Sequence, residues 1–137
     1  MAILEKIKAL CEDTNPDYKF VFESAEMMNR KADDVHFPVA YFEEYNDARF
    51  RKGFGLHKQV RVELHLLRLA PFQCSAVLRE KIREQIEAEF VLPFIERLNK
   101  SGHFEQVTEF DCMPVPPMFD VNAVGLLLRF WLSYKIC

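Results

Sequence analysis

The chain has 137 residues and a formal charge of −3 from 18 basic and 21 acidic side chains, with half of its residues hydrophobic and 13% aromatic. That length suits one domain with one core, and so much apolar surface excludes a disordered chain. The mild charge gives no general attraction for nucleic acid or anionic lipid, and no run of about 18 apolar residues is present to span a membrane.

Residues 2–13 form an amphipathic pattern, with Ile3, Leu4, Ile7, Leu10 and Cys11 at helical spacing. Glu5, Lys6 and Lys8 interrupt any signal-peptide apolar region. Asn15-Pro16 stops this helix, because the residue before proline is pushed out of the α region. Residues 17–24 alternate as a strand through Tyr18, Phe20 and Phe22. Polar residues 25–35 read as an irregular loop or a short helical turn. A second strand covers 36–45, with Phe37, Val39 and Tyr41 on one face and Pro38 marking a late start or an edge.

Residues 46–58 read as a loop rich in Arg, Lys, Gly and Phe, and its plainest form is a hairpin arm with glycines at the turn. A third strand, 59–69, places Val60, Val62, Leu64 and Leu66 on one face and Arg61, Glu63 and His65 on the other. Ser75 is the expected N-cap of a long helix reaching Lys100. Leu78, Ile82, Ile86, Phe90, Phe94 and Leu98 recur in steps of four along it, and Pro93 should kink or interrupt it. A short strand is expected over 104–110 and a stiff connector over 113–117, which holds three prolines. Asp120 and Asn122 can close turns, and Gly125 can serve as a bulge. The last strand, 122–136, is apolar on both faces, with Leu127 and Trp131 on the second. The order α-β-β-β-α-β-β predicts one α+β domain over 1–137, a mainly antiparallel sheet with the long helix packed on one face.

No enzyme motif is present. There is no G-x-S-x-G, G-x-G-x-x-G or GxxxxGK[ST]. Cys11, Cys74, Cys112 and Cys137 form no CxxC pair, so no zinc site is expected and reduced thiols are. Cys11 and Cys74 suit small core hydrophobes. His36, His57, His65 and His103 have no ligand at helical spacing, and His65 near Glu63 reads as a solvent-facing arrangement. Glu43-Glu44 is no dyad, since neighbours on a strand face opposite ways. No catalytic residue, metal or cofactor is therefore expected. Arg49, Phe50, Arg51, Lys52 and Phe54 stand out as a basic, aromatic cluster in an acidic chain. With Trp131 they are the expected partner-binding residues, since Arg and aromatic side chains anchor interfaces.

Two resemblances follow. Lys52 to Gly55, KGFG, resembles the start of the RNA-recognition-motif octapeptide, but Leu56, His57 and Gln59 stand where Phe, Val and an aromatic residue belong, which loses one of the stacking rings. The alternative function is accordingly a small nucleic-acid-binding module using residues 49–58. The element order, the arm between the second and third strands and the length together resemble bacteriophage tail-terminator and tail-completion proteins. That resemblance implies a structural ring subunit, a homo-oligomer that binds itself and other tail or connector proteins rather than a membrane. It also implies a place in the host cytoplasm or the virion.

Overall fold

A computed structural model describes residues 3–24, 36–44, 47–71, 74–115 and 123–136. The elements are α1 (Ile3–Thr14), β1 (Lys19–Glu23), β2 (Val39–Glu43), β3 (Ala48–Gly53), β4 (Gly55–Leu69) and α2 (Ala76–Ile86). A π-helical turn (Glu87–Val91), α3 (Leu92–Lys100), β5 (Asp111–Val115) and β6 (Ala123–Lys135) follow. The sheet runs β1-β2-β4-β6-β5, and β3 also pairs with β4. All pairings are antiparallel except β1 with β2. The chain is an α+β domain with a six-stranded mixed sheet, one face of which is covered by the helices. Among the described residues no helix is long and apolar enough to cross a membrane.

The period-two pattern of β4 and β6 decides which face the helices cover. Val62, Leu64 and Leu66 of β4 and Leu126, Leu128, Phe130 and Leu132 of β6 share one face. They pack against Ile86, Phe90, Phe94 and Leu98 of the helices and Ile7, Leu10 and Cys11 of α1. A second, smaller apolar cluster lies on the opposite face around Val39, Tyr41, Leu67, Val115 and Ala123. Leu127 packs against it, which explains one of the two apolar groups on the second face of β6.

The long helix shows what Pro93 does. Ser75 caps α2 by accepting from the Leu78 N–H at 3.2 Å, as expected. A strict step of four overshoots a 3.6-residue turn by about 40° each time. The wider π turn takes back part of that drift and keeps Ile86, Phe90, Phe94 and Leu98 all buried. Pro93 itself sits in the first turn of α3, where a missing N–H is tolerated. Having no N–H, it leaves the Glu89 carbonyl open, and Asn15 Nδ2 donates to that oxygen at 3.4 Å. The Glu89 side chain accepts from the Tyr18 hydroxyl at 2.5 Å and pairs with Arg68 at 2.6 Å, which ties the turn to the sheet.

Several expectations need correction. Residues 48–53 are a strand, not a loop, and β4 begins at Gly55 rather than 59. Residues 104–110 form no strand. Asn99 holds them instead, its Nδ2 donating to the Val107 carbonyl at 3.0 Å and its Oδ1 accepting from the Val107 N–H at 2.9 Å. Residues 111–115, read partly as a connector, form the edge strand β5, where Pro114 is acceptable because an edge strand has one unpaired side. The β4–β6 register is constant through Gly125, so no bulge occurs there. Cys11 is buried, whereas Cys74 is only half-buried. The loop and turn readings for 25–35, Asp120 and Asn122 lie outside the described residues.

Candidate functional site

β2 and β3 lie end to end along one side of β4, with β6 along its other side. The stretch β3–β4 is a tight hairpin. Gly53 pairs with Gly55, Phe54 occupies the tip, and Gly55 takes a φ of 88°, which favours glycine. The KGFG run is this turn. All six residues of β3 are exposed.

The hairpin divides the predicted cluster between two faces, because residues paired across strands share a face. Arg49 and Arg51 lie on the face away from the helices. There the Arg49 guanidinium sits 4.4 Å from the centre of the Trp131 ring, and Gln59 accepts from its Nε at 2.6 Å. Trp131 is thereby half-covered, at 36% exposure. Phe50 and Lys52 lie on the other face, where Lys58 Nζ stands 5.8 Å from the Phe50 ring centre. Phe50 remains 62% exposed and Phe54 98% exposed. Arg49 and Trp131 are thus brought together, while Phe50 and Phe54 project separately.

The face of the sheet away from the helices holds a second group that the sequence reading missed. Glu43 of β2 and Glu63 and His65 of β4 offer ligand atoms within 4.8 Å of one another. Arg61 and Arg129 both reach Glu63 Oε1, at 2.9 and 3.2 Å, the latter off the line of its N–H. The imidazole of His65 stacks on Tyr41, with ring centres 5.0 Å apart and planes 22° apart. It is 6% exposed, so the expectation of a solvent-facing His65 is corrected: Tyr41 covers it from β2. Its Nε2 lies 3.6 Å from Glu43 Oε2, and neither ring nitrogen has a hydrogen-bond partner among the described residues. The carboxyls of Glu43 and Glu63 stand side by side, and like charges that close disfavour the ionised form of Glu43. The signal available in the sequence was the alternation of Arg61, Glu63 and His65. The register that brings Glu43 beside them was not.

Burial, then the neighbouring Glu63 carboxyl, lifts the Glu43 carboxyl to about 7. Burial pushes the His65 imidazole down to about 4, and Arg129 adds to that. These two groups act on stability with opposite sign. Glu43 holds its proton more tightly when folded, so its contribution is present below its ordinary value and lost as pH rises through about 7. His65 resists protonation when folded, so its contribution is present above its ordinary value and lost as pH falls through about 4. Between pH 5 and 6.5 they offset one another. Relative to wild type in chelator-containing buffer, His65→Gln should lose about 1–2 kcal/mol between pH 5 and 7.5, because it lacks the stability that the unprotonated His65 adds over that range. Glu43→Gln should tilt the other way. Urea melts at the two pH values check this, and parallel profiles for all three proteins would contradict it.

The fold and this surface define an α+β sheet protein with an exposed hairpin and a polar cluster on the sheet face away from the helices. No protein-family model matches the chain, and no curated protein matches it as a relative.

Proposed function

We propose that this chain is a structural assembly protein, a ring subunit of the phage tail-terminator or connector kind, acting by protein–protein binding through its β3–β4 hairpin. The observation that carries the reading is the pair of exposed rings on that arm, Phe54 at the tip and Phe50 on its flank. Large apolar groups held clear of any core are costly to leave in water, and docking them on a partner relieves that cost. The outer edge of β3 carries no backbone partner among the described residues, which suits addition to a neighbouring subunit. An arm that docks on a different surface of the next copy makes a heterologous contact, the kind that closes into rings.

Arg51 and Lys52 beside these rings also support a second reading, a nucleic-acid-binding module using residues 49–58. Light scattering across a wide concentration range separates the two. The wild type should form a ring-sized or concentration-dependent oligomer, and the Phe50→Ser, Phe54→Ser double variant should be at least tenfold weaker in association with its thermal midpoint unchanged. A strict monomer that binds single-stranded nucleic acid in a steeply salt-dependent way would overturn the assembly reading in favour of the second.

A further inference from the structure

We propose that Glu43, Glu63 and His65 form a binding site for one first-row divalent cation of the zinc class on the face of the sheet away from the helices. This site is separate from the hairpin and does not depend on the assembly reading. It takes one imidazole nitrogen and two carboxylate oxygens, a mixed set that suits Zn²⁺ better than Mg²⁺, which prefers oxygen alone.

The geometry needs little adjustment. Bonds of 2.0–2.2 Å to a tetrahedral ion put neighbouring donor atoms about 3.4 Å apart. His65 Nε2 and Glu43 Oε2 already stand 3.6 Å apart, and all three donors lie within 4.8 Å of one another. The donors sit on paired strands, Tyr41 opposite His65 and Phe42 opposite Leu64, so the sheet fixes their spacing. Three protein donors leave a fourth position for water.

His65 is the independent observation. An imidazole that is 6% exposed and has no hydrogen-bond partner at either nitrogen, among the described residues, is costly to bury. Imidazole is a strong ligand for such an ion, and the Nε2 atom faces Glu43 Oε2 at 3.6 Å without a hydrogen-bond partner among the described residues. A cation there neutralises the two neighbouring carboxylates and gives the imidazole the partner it lacks among the described residues. Arg61 and Arg129 play two opposing parts. They orient Glu63 through its Oε1 oxygen, as outer partners of metal ligands do. They also repel a cation, so the site should bind more weakly than a closed structural zinc site.

Isothermal titration of the wild-type protein with Zn²⁺ at pH 7.5 tests the proposal, with Mg²⁺ as the control metal. One equivalent of Zn²⁺ should bind, Mg²⁺ should not compete, and the thermal midpoint should rise with Zn²⁺. His65→Gln and Glu43→Gln should each weaken binding at least tenfold. The carboxamide in Glu43→Gln keeps a hydrogen-bonding partner for Glu63, so this variant decides the matter if His65→Gln fails to fold. Failure of wild type to bind Zn²⁺, or undiminished binding by a folded variant, overturns the site. The latter result would place the ion on the other histidines or the thiols.

Discussion

Replacing Gly125 with alanine should cost roughly 3 kcal/mol or more of folding free energy, and valine should leave no folded protein. Gly125 lies within β6, paired with Leu67 on one side and Val115 on the other. A Cβ there would stand 1.9 Å from the Leu66 carbonyl oxygen and 2.9 Å from its carbon. Both atoms belong to the backbone of β4, the central strand, so relief requires parting β4 from β6. Those two strands are paired over thirteen residues each, and separating them opens the core between sheet and helices. No positive φ is involved, so the effect is one of space. Gly53, whose added Cβ meets nothing within 4 Å, supplies the control. Gly53→Ala should stay within about 0.5 kcal/mol of wild type. Denaturant midpoints for the two alanine variants measure the contrast, and equal midpoints would show that the close approach is unnecessary.

Phe94→Ala should cost about 3–5 kcal/mol, the usual loss for a large aromatic removed from a core. Phe94 is fully buried, between Phe90 at 5.8 Å and Phe130 at 6.0 Å, measured between ring centres. It links α3 to the middle of β6, so the space it vacates cannot be refilled from either side without moving a helix against the sheet. A domain of this size has about 5–15 kcal/mol of stability in total, so the loss removes a large share of it. The thermal midpoint should fall by about 10–20 °C. Phe54→Ala, at the hairpin tip, should leave the midpoint unchanged within error. If Phe94→Ala melted within a few degrees of wild type, the packing of the three rings would not carry the core.

The two variants divide the thirteen phenylalanines of the chain by what surrounds them. Phe90, Phe94 and Phe130 hold the fold, while Phe50 and Phe54 serve the proposed docking of the arm. The hairpin cluster was visible in the sequence as a run of Arg, Lys and Phe among acidic surroundings. Its division into two faces was not, because the composition of 46–58 predicts a loop, and a loop has no alternation to assign. The strand forms because Ala48 to Gly53 pair with Val60 to Gly55 across a turn whose tip is Phe54. That pairing is set by the glycines and by β4, not by the strand propensity of Arg and Lys.

Local periodicity by itself determined the α+β class, the faces of β4 and β6, the Ser75 cap and the apolar stripe of the long helix. Each of these depends on residues a few positions apart, and side-chain spacing is a property of the local backbone. Tertiary structure decided the rest. The π turn before Pro93, the place of the 111–115 edge strand, and the need for glycine at 125 come from how separate elements meet. The cluster of Glu43, Glu63 and His65 is the clearest case. Glu43 stands twenty residues from Glu63, and only the β2–β4 register brings them together. Register depends on the whole sheet and on which face is buried, and no local spacing encodes it.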